Sequence, residues 1–307
     1  MKESTRTKTN KGFAIWAGLL SLILGLLSSA GFIASSILFQ EDIPEPVERD
    51  PNEPDMKVVM ARYEQAKAKG DFSTLAPEDA VNATFHLLSQ EENYYTVTVG
   101  QTKALWITQH ITAYFVKMGN RYFEESNSAG YVNLYDRMIQ EGDTTTTYWG
   151  NKPDYASHKP VVYSNKEYRE MMGRNLSEPF LYIVSEQTKL ETGTSGDSPS
   201  RVIKENDGYR IELELDPLTS VLAYQCTMQS LSNLKYKPTF DFVHLAITTD
   251  ANLNVLRMDT HEKYFATSSS GMGSRCEAWI STAIHHEKNP IGFPSYDSQL
   301  PEYPESL

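Results

Sequence analysis

An uncharged run of 28 residues from Gly12 to Phe39 most constrains what this chain can fold into. A helix rises about 1.5 Å per residue, so such a run is long enough to cross the roughly 30 Å hydrocarbon layer of a bilayer. The charged residues before it are mostly basic, and those just after it are mostly acidic. Because the basic flank stays in the cytoplasm, the sequence predicts a single-pass cell-membrane protein. Residues 1–11 are cytoplasmic, 12–39 form a signal-anchor transmembrane helix, and the C-terminal part is extracytoplasmic.

A cleaved secretory signal peptide is the alternative interpretation of this segment. The apolar core Phe13–Leu27 is followed by Ser28, Ser29 and Ala30, which are typical of a cleavage site. Cleavage there leaves a product that begins with the apolar stretch GFIASSILF, whereas signal peptides usually give way to polar sequence. The sequence therefore favours an uncleaved anchor.

The predicted span also carries small residues on one face, which lets a second helix approach closely. This spacing allows a homodimer through the transmembrane helix, although small residues are frequent in membrane helices in general. The stripe comprises Ala14, Gly18, Ser21, Gly25 and Ser28.

Net charge limits the partners of the chain. The chain has 28 Lys and Arg against 40 Asp and Glu, a formal net charge of −12, and no basic patch offsets it. Proteins that bind nucleic acid need clustered Lys and Arg to replace the counterions of the phosphates. We therefore expect no nucleic-acid partner.

Composition divides the rest of the chain into three parts. Residues 40–54 combine four prolines with acidic residues and predict an extended, self-repelling stalk. We expect residues 55–286 to form one extracytoplasmic α+β domain. Residues 287–307 carry four more prolines without periodicity and predict a disordered tail.

Within the domain, capping residues and helical spacing predict helices over about 56–69, 77–89, 165–172 and 217–231. Alternating β-branched and aromatic residues predict strands between them. The predicted strands include one long strand, ALWITQHITAYFVKM, over 104–118, a hairpin around Asn206-Asp207-Gly208, and three closing strands at 239–249, 254–266 and 274–286.

Motifs for metal or covalent chemistry are weak. Asp250, Asn252 and Asn254 match the first ligands of a calcium loop, but Val255 stands where that loop needs glycine. His244, Asp259 and His261 fall on one polar face of the last hairpin, which is most simply a solvated outer face. Hydrolase and nucleotide-binding motifs are absent from the sequence. We therefore expect no metal, no cofactor and no enzymatic activity.

Cys226 and Cys276 are the two cysteines of the chain. An oxidising extracytoplasmic space permits a disulfide between them, and a helix that lies on the sheet would bring them together. The sequence predicts this disulfide, with buried free thiols as the alternative.

Two stretches, GYRIELELDPLTSVLAYQ and FDFVHLAITTDANLNVLRMDTHEKY, resemble uncharacterised, membrane-anchored envelope proteins of Gram-positive bacteria. The order of elements over about 94–286 is similar to the half-barrel fold of extracytoplasmic lipid-carrier and lipoprotein-localisation proteins. This resemblance implies a strongly curved antiparallel sheet covered by helices. No cysteine for lipid attachment lies near the N-terminal span, which departs from the lipoprotein members.

Two functions follow as hypotheses. The first is a binding protein for an apolar ligand or lipid, held in a groove on the sheet face that alternation assigns inward. The second is a scaffold or signalling partner of another envelope protein, in which that face is ordinary core. The predicted groove comprises Ile107, Ile111, Phe115, Ile211, Leu213, Leu245, Ile247 and Met258.

Overall fold

The structure is a computed structural model that describes residues 52–130, 133–155, 159–195, 200–304 and 306–307. The predicted cytoplasmic N-terminus, the transmembrane helix over 12–39 and most of the stalk lie outside these ranges. Within them, no helix is both long enough and apolar enough to cross a membrane.

The described residues contain four α-helices, and two of them begin at side-chain caps and end at glycines that the sequence already shows. Asp55 accepts a hydrogen bond from the Lys57 amide at the start of the first helix, and Gly70 ends it with φ +69°. Ser164 and Glu167 form a capping box at the third. The helices are α1 (Met56–Lys69), α2 (Pro77–Gln90), α3 (Asn165–Met172) and α4 (Leu222–Leu231).

The fourth helix begins five residues later than the sequence predicts. The side chain of Asp216 accepts hydrogen bonds from the Leu218 amide and the Thr219 hydroxyl, so residues 216–221 form a turn instead of a helical start. The other three helices match their predicted ranges to within one residue.

Twelve strands form one antiparallel sheet in the described part of the chain. They are β1 (Asn93–Ala104), β2 (Ile107–Met118), β3 (Arg121–Ala129), β4 (Leu134–Glu141), β5 (Thr144–Gly150), β6 (Val161–Ser164), β7 (Lys189–Leu190), β8 (Arg201–Lys204), β9 (Gly208–Leu215), β10 (Thr239–Asp250), β11 (Val255–Thr267) and β12 (Gly273–His285).

The strand order is β6-β5-β4-β3-β2-β1-β12-β11-β10-β9-β7, with β8 paired to β9. Pairing of β1 with β12 places the first and last long strands side by side, with Thr98 opposite Thr282. Among the described strands, β6 and β7 stand at opposite ends of this order, so the sheet is open and does not close into a barrel.

The predicted long strand over 104–118 is wrong in one respect. The chain reverses at Leu105 and Trp106, and Ala104 pairs with Ile107 across this two-residue turn. Leu105 has φ +56°, and its side chain and that of Trp106 are more than 80% exposed. Neither residue is a usual turn former, so local sequence chemistry gives no signal for the reversal.

The strand register divides the central sheet into two faces, which we call the inner and outer faces. Around β9 and β10 the inner face is fully packed against α2, with Leu213 and Leu245 completely buried. Across β1, β2, β3 and β12 the same face carries small or hydroxylated residues, such as Thr98, Ala113 and Ser126. The inner face therefore changes along the sheet from large apolar side chains to small ones.

The C-terminal segment, predicted to be disordered, packs on the outer face of β2 to β4. Phe293, Leu300 and Tyr303 cover a buried cluster that includes Val116 and Phe123. The carbonyl groups of Tyr296 and Ser298 each accept a 2.9 Å hydrogen bond from Arg137. The prediction of disorder was wrong. A high proline content and a lack of periodicity do not exclude an ordered segment, and here Phe293 and Tyr303 pack on the sheet.

Candidate functional site

A cavity of about 380 Å³ lies between the inner face and the elements that cover it. Residues of β1 to β4, β11 and β12 form its floor, and α2, α4 and the segment 179–182 form its cover. Pockets that bind small molecules commonly start at about 300 Å³. The space is therefore large enough for a small ligand.

The cavity exists because its floor is built from short side chains. Thr98 and Thr102 on β1 lie beside Gly100, and Ala113 of β2 pairs with Ser126 of β3. Such side chains project too little from the sheet to reach the covering helices. In the packed half of the inner face, by contrast, the large side chains of Leu213 and Leu245 are completely buried.

Apolar and aromatic side chains form most of the cover and the side walls. Phe85 of α2 stacks on Phe180 with ring centroids 4.0 Å apart. Tyr94 and Phe115 stack at 5.5 Å on the floor side. The apolar lining residues include Leu88, Ile111, Met228, Leu231, Met258 and Ile280.

Glu262 of β11 is a carboxyl group buried in this apolar wall. Its side chain is almost inaccessible to solvent, and its Oε1 atom accepts a 2.8 Å hydrogen bond from the Tyr224 hydroxyl of α4. In the described residues, its Oε2 atom has no hydrogen-bond partner. Burial raises the pKa of Glu262 to about 8, although the bond from Tyr224 opposes the rise.

A second polar group lies further along the floor. Arg174 donates a 2.6 Å hydrogen bond to Glu124, and both side chains are largely buried. Asp136 of β4 is also buried there, and desolvation, reinforced by the charge of Glu124, raises its pKa well above the ordinary value. The cavity thus combines apolar walls with two separate polar sites.

The eight residues of the predicted groove have three different placements. Ile111, Phe115 and Met258 line the cavity. Ile107 lies beside the exposed turn at 105–106 and does not line it. The remaining four are completely buried in the packed half of the inner face: Ile211, Leu213, Leu245 and Ile247.

Sequence reasoning missed the charged residues of the cavity. Glu262 shares the inner face with Met258 and Thr260, and Glu124 pairs with Phe115. An ionisable side chain at a position that alternation assigns inward was the available signal. Arg174 had no such signal, because it follows α3 in an irregular segment.

The predicted disulfide between Cys226 and Cys276 is wrong, since both thiols are free. Tyr224 is the α4 residue that reaches the sheet at Glu262. Cys226 follows two positions later, about 200° around the helix, and therefore packs against Gly173 at the end of α3. Cys276 remains on the inner face of β12 beside Tyr264.

The histidines of the last hairpin lie on the outer face. His244 pairs across the strands with His261, and His261 hydrogen-bonds Glu277 at 2.9 Å. Asp259 accepts hydrogen bonds from Arg257. Over the described residues, no group of three or more His, Cys, Asp or Glu is arranged to hold a metal ion.

Comparison with known proteins finds similarity to solved structures but not to a sequence family. No family model matches the sequence. No curated protein matches it. The crystal structure of a DUF1329 family protein from Desulfovibrio piger ATCC 29098 aligns with 72% of this chain and 95% of its own, at 12% identity and a TM-score of 0.28. A TM-score this low does not establish a shared fold.

Proposed function

We propose that this domain binds an apolar or amphiphilic small molecule, such as a lipid, in the cavity between the inner face and α4. The observation that carries this proposal is the cavity itself, a partly open space of about 380 Å³ bounded by Phe115, Met228 and Met258. Ordinary cores are close-packed, with few voids larger than a water molecule. An apolar guest completes the packing that the short floor residues leave incomplete.

The extent of the lining supports a sheet that bends around the guest as a half-barrel. Inner-face residues of six adjacent strands, from β11 through β12 and β1 to β4, contact the same cavity. In a flat sheet with strands about 4.8 Å apart, these strands would extend over about 24 Å. Curvature brings them around one space.

The sequence also supports a cellular location for this binding domain. The basic flank before residues 12–39 and the acidic flank after them support a signal-anchored domain on the extracytoplasmic side of the cell membrane. In that position, a cavity protein would receive apolar molecules from the membrane or from another envelope protein. We propose a binding role rather than an enzymatic one.

A cavity-filling substitution tests the binding role. Ile111→Trp places an indole in the cavity, whereas Thr112→Trp is its control on the outer face of the same strand. We expect the parent domain and the Thr112→Trp variant to bind the fluorescent probe N-phenyl-1-naphthylamine with one saturable site. We expect Ile111→Trp to lose that site and to keep its fold.

The same titration can contradict the proposal. If the folded parent shows no saturable binding, or if Ile111→Trp binds as tightly as the parent, the cavity is not a ligand site. The alternative of a scaffold that binds another envelope protein through its surface would then be preferred.

A further inference from the structure

The cavity contains more acidic groups than basic ones. Its charged lining residues are Glu124, Asp136, Arg174 and Glu262. Arg174 is paired with Glu124, so this ion pair is balanced. Glu262 and Asp136 have no ion-pair partner among the described residues. A buried carboxylate without a cation is costly, so such groups are normally paired or neutralised.

Glu262 is the better placed of the two to contact a ligand. Its Oε1 atom already accepts a hydrogen bond from the Tyr224 hydroxyl, whereas its buried Oε2 atom has no hydrogen-bond partner among the described residues. The carboxyl group lines the cavity beside Met258 and Thr260, which belong to the same strand and face. One oxygen without a partner therefore lies in the wall of the cavity, and a ligand group has to move only slightly into that wall to reach it.

The titratable groups around Glu262 include no cation. They are Tyr182 of the covering segment, Tyr224 of α4, Tyr264 of β11 and Cys276 of β12. Burial raises the pKa of each of these groups, so all four are neutral at pH 7. Glu262 is itself protonated at pH 7 in the empty cavity, so the site is neutral, and a positive charge beside it comes only with the ligand.

We propose that the ligand is a cationic amphiphile, an apolar body that carries a primary or secondary amine, and that its ammonium group binds Glu262 Oε2. This inference rests on the proposed binding function and specifies its ligand class. The ammonium donates a charge-assisted hydrogen bond to the free oxygen. Below about pH 8 the carboxyl group releases its proton to solvent as the ammonium binds, and the complex holds one cation and one carboxylate.

Three probes of equal chain length test the ligand class: decylamine, decanol and decanoate. Isothermal titration of the domain is expected to rank decylamine first, about tenfold or more tighter than decanol, with decanoate weakest. The affinity for decylamine should rise by up to about tenfold per pH unit below pH 8, because each binding event displaces one proton. The affinity for decanol should not rise with pH.

Two glutamate variants test whether the preference for decylamine arises at Glu262. Glu262→Gln keeps the shape of the side chain and removes its charge, and it should no longer bind decylamine more tightly than decanol at any pH. The control Glu277→Gln makes the same change on the outer face, where Glu277 hydrogen-bonds His261, and it should behave as the parent.

The outcomes separate this inference from the binding function on which it rests. Equal binding of decylamine and decanol by the parent overturns the amine assignment and leaves the cavity as a site for neutral ligands. Full decylamine preference in Glu262→Gln also overturns it. If none of the three probes binds, the binding function fails as well. The probe ranking uses the unaltered domain, so it stands even if a variant does not fold.

Discussion

The hydroxyl of Tyr224 donates a 2.8 Å hydrogen bond to Oε1 of Glu262, and this bond joins α4 to β11 at the edge of the cavity. The same helix turns Cys226 away from the sheet toward α3. A single helical orientation therefore explains both the polar site in the cavity and the absence of a disulfide between Cys226 and Cys276.

Glu262 should make the stability of the empty domain depend on pH. Its ordinary pKa is 4.5 and its folded value is about 8, so between these values the folded state holds a proton that the unfolded chain has released. Stability therefore falls as pH rises from about 4.5 to 8, by on the order of 4 to 5 kcal/mol from this residue alone. Glu262→Gln should remove this contribution to the pH dependence of the free energy of unfolding.

Urea denaturation at pH 5 and pH 8.5 measures this effect. For each protein, the free energy of unfolding at pH 8.5 is subtracted from that at pH 5. This difference should be smaller in Glu262→Gln than in the parent. The two proteins have to be compared because Asp136 also lowers stability as pH rises, and it does so in both. Equal losses in the two proteins would mean that the Glu262 carboxyl titrates normally.

The C-terminal segment should contribute substantially to stability. A truncation after Gly292 removes the carbonyl acceptors of Arg137 and the Tyr303 hydroxyl, which donates to Glu125 at 2.9 Å. It also uncovers the apolar cluster beneath. We expect a loss of about 3 kcal/mol or more in the free energy of unfolding, because the buried Arg137–Glu125 pair loses its neighbours.

Removal of residues 304–307 alone is the control for this truncation. It leaves Tyr303 in place and should change the free energy of unfolding by less than about 0.5 kcal/mol. Equal stability of the two truncated proteins would contradict the packing of the segment on the outer face.

Both cysteines should be free thiols in the folded protein. Alkylation under denaturing but non-reducing conditions, followed by mass spectrometry, should add two labels to each chain. Under native conditions Cys226 should react more slowly than Cys276, because Cys226 is buried and Cys276 is half-buried. A chain that accepts no label without a reductant would restore the predicted disulfide.

Two leucines test the difference between the exposed turn and the packed half of the inner face. Leu245 is completely buried, so Leu245→Ala should cost about 2 to 5 kcal/mol in the free energy of unfolding. Leu105 is exposed at the β1–β2 turn, and Leu105→Ala should change it by less than about 0.5 kcal/mol. Thermal or urea denaturation of both variants gives the comparison. Similar costs would mean that residues 104–118 pack as the continuous strand that alternation predicts.

Local signals in the sequence predicted most of the elements. Asp55, Gly70 and the Ser164–Glu167 capping box mark helix ends through their own hydrogen bonds or left-handed backbone, which are short-range effects. Alternation likewise predicted the bounds of the last three strands to within one residue. The turn at Leu105 and Trp106 was missed because neither residue has turn chemistry of its own.

The candidate site was only partly predictable, because it depends on contacts between distant parts of the chain. Alternation assigned Ile111, Phe115 and Met258 inward, and these residues line the cavity. It could not show that β1 pairs with β12, about 180 residues later. It also could not show that small side chains from separate strands meet to leave a space, while Leu213 and Leu245 fill theirs.

A crystal structure of the domain, purified without detergent or strong extraction, tests the central claim most directly. We expect continuous elongated electron density between Phe115, Met228 and Met258, with one end within hydrogen-bond distance of Glu262 Oε2. A cavity closed by repacked side chains, or filled only by ordered water, would contradict the claim that this domain carries an apolar ligand.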